Sequence, residues 1–295
     1  MLYSKKKKGK PMVDKTFDSQ KIRDLYKHRW ALNYGDTAKK ETPEFWNERA
    51  GDFAAKAHSI AARKESEEFL NRFSWSTTET VLDVATGPGT FAIPLARRVA
   101  KIVATDFSKA MLEQLELKAQ DEQVDNIEII QGRWLEIEDP KPCDTVLCLN
   151  SLGVISTDAE HKTRLEETLQ KLARSCKKRL ILLLPHADSP VEPDLRRQLG
   201  LGEIALERRR VAILYLAMIE NGMLPSLHII KRPFHWTFTD IHDASETLLL
   251  KAGVKNVKTH QLLMEDYLRP RLHKEEDGRF SLAYEVSQAL YIWEK

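Results

Sequence analysis

The stretch Val81-Leu82-Asp83-Val84-Ala85-Thr86-Gly87-Pro88-Gly89-Thr90-Phe91-Ala92, VLDVATGPGTFA, decides the fold. Its first four residues are apolar apart from one carboxylate and suit a buried strand. Gly87 and Gly89 then allow a tight turn, and the apolar residues from Phe91 onward suit a helix. Gly87-x-Gly89-x-x-Ala92 has the spacing with which strand–turn–helix units bring backbone close to a nucleotide ligand. Glycine-rich turns are common, so the neighbouring segments must decide what this one does.

Outward from the turn, short apolar strands alternate with helices. TVLDVA is followed by FAIPLARRVA, KIVATD by KAMLEQLELKAQDE, and IEIIQG by DTVLCLN, a helix through Leu165–Leu172 and RLILLLP. Near-continuous apolar strands joined by helices predict a parallel sheet covered on both faces. Two further strands are expected in SLHIIKRPFHWTFT and SLAYEVSQALYIWEK, and a helix in DIHDASETLLLKAG that Gly253 ends. The fold class is therefore α/β: a Rossmann-like, seven-stranded, mostly parallel sheet with helices on both faces. Sheets of this kind bind ligands beyond the carboxyl ends of their strands.

Before the sheet, Ile22, Leu25, Tyr26, Trp30 and Leu32 fall along one helical face. Thr42, Pro43 and Glu44 make a helix start. The reading is a disordered basic tail over 1–17 and one domain over 18–295. That domain comprises a helical cap (18–73), a ligand-binding core (76–186), and a lid-like insertion with the last part of the sheet (187–295).

Among 295 residues, 42% are hydrophobic and 31% charged, the balance of a globular protein. No apolar run is long enough to span a bilayer. The basic start lacks the apolar segment of a secretory signal. Cys143, Cys148 and Cys176 form no C-x-x-C pair, and the nine histidines lack ligand spacing, so no metal site and a reducing, cytoplasmic setting are expected. The net charge of +2 is uneven: residues 1–40 carry 12 Lys/Arg against 4 Asp. That head either touches nucleic acid or an acidic surface, or is a solvated tail. The mildly acidic remainder does not favour an extended phosphate-binding surface.

Charge separates two ligand readings of the turn. Asp83 would repel the pyrophosphate of NAD but attract the ammonium of S-adenosylmethionine (SAM). Pro88 offers no N–H to a phosphate. Asp106 ends the second strand, 19 positions after Gly87, where a carboxylate can accept both ribose hydroxyls of either ligand. The combination favours SAM, with S-adenosylhomocysteine as product.

With these residues in place, the chain resembles class I SAM-dependent methyltransferases over about Phe45 to Pro185. VLDVATGPGTFAIPLAR is similar to their first motif, in the D-V-A-T-G-x-G form of ubiquinone- and menaquinone-type enzymes. VATDFSKAMLEQ, NIEIIQGRW and DTVLCLNSL resemble the next three. The resemblance implies cofactor contacts from Asp83, Ala85, Thr86, Gly87 and Gly89. It implies a ribose role for Asp106, adenine packing by Phe107 and Met111, and further contacts from Arg133, Trp134 and Asn150. Ala85 stands in place of the family's first glycine. Arg133 stands where many members have an Asp that receives the adenine amino group, and Arg cannot accept a hydrogen bond. Trp134 either stacks on the base or packs in the core.

Methyl transfer needs alignment and dryness more than a dedicated base. His186, expected just after the fifth strand, is a candidate base or a turn histidine. Asn150 is followed by Ser151 and Leu152, which is not the signature of nucleic-acid amino-methylating enzymes. Arg196, Arg197 and Arg208–Arg210 either face an anionic acceptor or form a solvated face. Tyr26, Trp30, Phe45 and Trp46 either close over the ligands or serve as core. The expected activity is methyl transfer to a small molecule, with a protein or tRNA acceptor as a variant. A SAM-binding regulator without turnover is the alternative class.

Overall fold

The computed structural model describes residues 19–187, 193–201, 205–254 and 256–295; the basic tail expected over 1–17 lies outside them. Three helices come first: α1 (Ser19–Lys40), α2 (Pro43–Ala57) and α3 (Ile60–Leu70). The α2 start is the one its sequence announces, with Thr42 Oγ1 accepting from Phe45 N at 3.3 Å and Pro43 opening the helix. Ser59 caps α3 in the same way.

The sheet follows. β1 (Thr80–Val84) leads through α4 (Ala92–Ala96) to β2 (Lys101–Asp106), and α5 (Lys109–Asp121) leads to β3 (Ile127–Gln131). β4 (Cys143–Leu149) passes α6 (Leu152–Ile155) and α7 (Leu165–Arg174) to reach β5 (Cys176–Ala187). The C-terminal part holds α8 (Pro193–Gln198), α9 (Ala205–Glu220), β6 (Ser226–Phe238), α10 (Ile241–Lys251), α11 (Val257–Leu268), β7 (Leu272–Lys274) and β8 (Phe280–Glu294).

The strand order is β3-β2-β1-β4-β5-β8-β6, with β7 paired to β8. The first five strands are parallel, and β8 runs antiparallel to both its neighbours. The sheet therefore has eight strands, where seven were expected. The physical reason is the length of β8. Its residues 287–294 pair with β5, while residues 280–282 overhang and pair with the short β7. Asp277-Gly278 turns that hairpin, with Gly278 at φ +85°. Helix α11 lies beyond the helix read from DIHDASETLLLKAG, past the Gly253 that ends it.

Alternation along the strands feeds two cores. Leu82, Val146, Leu180 and Leu182 point to the side covered by α1, α7 and α9, where Trp30 and Tyr26 are fully buried. Val81, Leu147, Ile181 and Leu183 point to the side covered by α3, α4 and α5. This two-sided burial is why the strands read as continuous apolar runs. A third cluster joins α8, α10 and α11 to the overhang of β6 and β8 through Leu195, Leu248, Met264, Phe238 and Leu282.

Two packing details hold the N-terminal helices on the sheet. Trp30 Nε1 donates to Ser156 Oγ at 2.8 Å. Gly153, on α6, sits so close under the Tyr34 ring that any Cβ there would collide with it. At the opposite end of the strands, Arg179 Nη2 meets Glu79 at 3.1 Å, and its guanidinium lies 4.5 Å from the Trp75 ring centre. Thr145 Oγ1 donates to the same carboxylate.

Candidate cofactor-binding site

The turn after β1 is built by left-handed backbone. Ala85, Gly87 and Gly89 have φ of +59°, +56° and +86°. Ala85 is the costly member, since a Cβ disfavours this region by about 1–2 kcal/mol. Gly89 is required for a second reason: a Cβ there would strike Leu115 of α5. At Gly87 a Cβ would meet only the edge of the Phe53 ring, at an ordinary 4.0 Å.

The amides of this turn are used internally. Thr86 N donates to Thr105 O at 2.9 Å, Gly87 N to Asp106 Oδ2 at 2.9 Å, and Gly89 N to Thr86 O at 3.2 Å. Pro88 has none. From Thr86 to Gly89, then, no N–H remains to cradle a diphosphate, which is how nucleotide turns of this shape bind anions.

Two carboxylates stand behind the turn. Asp83 is 3% exposed and accepts from Thr86 Oγ1 at 2.7 Å. Burial pushes its carboxyl up to about 6, with the Thr86 hydrogen bond opposing. Asp106 closes β2 and also accepts from Ser108 N at 2.9 Å. Burial raises its carboxyl as well, against the backbone N–H groups of Ser108, Gly87 and Phe107. With about four acceptor positions on its two oxygens, the Asp106 carboxylate serves these N–H groups and still retains acceptor capacity for a ribose hydroxyl.

A cavity of about 480 Å³ opens in front of these groups, at the carboxyl ends of the strands. Of the residues singled out from the sequence, Asp83, Ala85, Thr86, Gly87, Asp106, Phe107, Met111 and Asn150 line it. Gly89 lies beneath the turn, against Leu115 and Ile93. Arg133 and Trp134 line a small recess beside the cavity, formed with Val84, Thr105 and Gly132. Trp134 is buried in the core under α1, with Lys171 Nζ 4.9 Å from its ring centre. Arg133 stands 5.4 Å from the Phe107 ring centre. His186 lies within β5 at a register shift, one residue before the strand ends, and is not part of the lining.

Of the lid arginines, Arg196, Arg197 and Arg210 are outside the lining, and Arg210 lies 5.1 Å from the Tyr34 ring centre. The side chains of Arg208 and Arg209 are outside the described residues. Tyr26 and Trp30 are core, whereas Trp46 faces the cavity.

Several lining residues carry no local signal in the sequence. Glu41, Trp46 and Phe53 come from the α1–α2 corner and α2, and Glu65, Phe69 and Arg72 from α3 and its end. Ile230 and Arg232 come from β6, and Gln288 from β8. Gln288 Nε2 donates to Asn150 Oδ1 at 3.0 Å, and Asn150 is held at φ +63°. Arg232 Nη1 meets Glu65 at 2.7 Å, bridging β6 to α3. His58, at the α2–α3 corner, places Nε2 2.8 Å from Pro88 O, so that nitrogen carries the proton. The helical cap is thereby tied to the turn it covers.

A mostly parallel core, a left-handed turn with its amides consumed, and two buried carboxylates near adjacent strand ends make up the site. Residues 81–179 match the family model described as a methyltransferase domain. The chain is 31% identical over 118 residues to an uncharacterized protein of Haemophilus influenzae, covering 40% of this chain and 41% of that one. It is 34% identical over 74 residues to demethylmenaquinone methyltransferase of Oceanobacillus iheyensis, covering 24% and 31%. The match thus spans less than half the length of either curated relative. Among solved structures, a SAM-dependent methyltransferase from Aquifex aeolicus overlaps 80% of this chain and 97% of its own, at 14% identity and a TM-score of 0.44. Identities this low carry nothing about the acceptor. Among the described residues, no helix is long and apolar enough to cross a membrane.

Proposed function

We propose that this protein transfers the methyl group of SAM to a small-molecule acceptor held under the N-terminal helices. The observation that carries the reading is the pairing of Asp83 and Asp106 around a turn whose amides are already used. Such a turn suits a cationic amino-acid tail and a diol, not a diphosphate.

SAM supplies, when bound, a methyl already activated by its sulfonium. The chain's own residues orient and shield it. Asp83, held by Thr86, attracts the ammonium end, and Asp106 accepts from the ribose. Phe107 and Met111 pack on the base. The cavity then continues past Leu149 and Leu183 toward Phe69, Phe91 and Ile230, an apolar wall suited to excluding water from the transfer. Asn150, fixed by Gln288, stands between the two parts. An acceptor that reaches this wall must fit beneath α2 and α3, which favours a small molecule over a folded protein or tRNA.

A labelled-methyl assay against separated metabolite, protein and RNA fractions tests the reading. Label in the metabolite fraction is expected. Label confined to protein or RNA would move the acceptor to that class. Tight SAM binding with no labelled product in any fraction would replace the enzyme with a SAM-binding regulator.

A further inference from the structure

Adenine recognition is the gap in this site. Arg133 offers donors only, and Trp134 is buried away from the cavity. The helical cap fills the gap. Asn47 Oδ1 accepts from Ser108 Oγ at 2.8 Å and from Ala110 N at 3.2 Å, which pins α2 to the start of α5. Glu44 is lowered by its own backbone amide and Thr42, and also by the nearby charge of Arg133. Trp46 meets Phe53 edge-on, with ring centres 5.6 Å apart, and Phe53 lies against Gly87. The Asn47 hydrogen bonds and the Phe53 contact therefore set α2 over the start of α5 and the turn after β1, on the side of Phe107 and Met111, where the base is expected.

Among the lining residues, Glu41 brings a carboxylate beside Trp46, separate from Asp83 and Asp106 at the strand ends and from Glu65 and Glu68 of α3. It is partly buried and faces the cavity. Burial raises its carboxyl, with a hydrogen bond from the Trp46 side chain opposing. That bond uses one acceptor position and leaves others open.

We infer that Glu41 accepts the 6-amino group of the adenine, replacing from the N-terminal cap the acceptor that position 133 lacks. The inference rests on the SAM reading above. Base specificity is then supplied by a segment outside the 81–179 domain, and α2 must be docked for the base to be read.

Calorimetry with S-adenosylhomocysteine and its analogue lacking the 6-amino group tests this. The wild type should prefer the amino form by about tenfold, the scale of a charge-assisted hydrogen bond. In Glu41→Ala the preference should fall to within about twofold, mainly through weaker binding of the amino form. Glu44→Gln, which removes the same charge at the exposed helix start, should leave the preference intact. A tenfold preference persisting in Glu41→Ala overturns the inference, as does an equal loss in Glu44→Gln. Binding of neither compound to the wild type overturns the SAM reading itself. Because each variant is judged on a ratio, a partly misfolded sample lowers both affinities without mimicking the result.

Discussion

Asp106 Oδ2 accepts the Gly87 amide at 2.9 Å, so the end of β2 holds the turn that follows β1. One carboxylate thus shapes the backbone and keeps acceptor capacity for a ligand. Asp106→Ala removes both functions. SAM affinity should fall by roughly 1–3 kcal/mol, and stability by a similar amount because the part-buried Gly87 amide and the buried Ser108 amide lose their partner. Calorimetry and urea titration separate the two losses; unchanged affinity would remove Asp106 from the site.

Asp83 should trade stability for binding. Its folded pKa, about 6, lies above the ordinary carboxyl value of 3.8, so between these values the folded state holds a proton that the unfolded state has released. Stability from this group is complete below about 3.8 and is lost as pH rises through about 6. Asp83→Asn should therefore raise the melting temperature of the ligand-free protein at pH 7, by an effect of order 3 kcal/mol at most. It should also weaken SAM binding and abolish the rise in affinity expected as wild-type Asp83 ionises. A variant melting below wild type at pH 7 would contradict this.

Two glycines two residues apart should respond differently. Gly89→Ala meets Leu115 at a left-handed φ, whereas Gly87→Ala meets only the left-handed penalty. Denaturation should show about 1 kcal/mol lost for Gly87→Ala and more than 2 kcal/mol for Gly89→Ala. Equal losses would mean that α5 yields freely.

His58 couples the cap to the turn. Its pKa is lowered, chiefly by burial, with the Pro88 hydrogen bond opposing and Lys118 and Arg63 adding to the lowering. Its stabilisation is present above about 6.5, the ordinary histidine value, and is lost as pH falls through the depressed folded pKa. Hydrogen exchange in α2 and α3 should quicken on acidification in the wild type. In His58→Phe it should be faster at neutral pH and less pH-dependent. Identical exchange in both would uncouple His58 from the cap.

Glu79 and Arg179 make a largely buried pair at the far end of the sheet. Glu79→Ala removes the carboxylate facing the guanidinium, which keeps only Ser74 O and Thr145 Oγ1, and should cost about 3 kcal/mol without altering SAM affinity. A parallel loss of affinity would show that this end of the sheet reports to the site.

The sequence alone determined the parallel core and set Asp83 and Asp106 near the ends of its first two strands. These follow from short-range rules: apolar runs too continuous for a one-sided sheet, and glycines where the backbone must turn left-handed. Pro88 already disfavoured a phosphate, though only the structure shows Gly87 and Gly89 spending their amides inside the protein. Tertiary packing decided the rest. Trp134 went to the core and Trp46 to the cavity, although both are tryptophans beside candidate motifs, because burial depends on which helix covers which strand. Glu41, Arg232 and Gln288 meet the turn across long stretches of chain, so no local pattern marks them. The eighth strand arose because β8 outruns β5, a length mismatch that exists only once the two are paired.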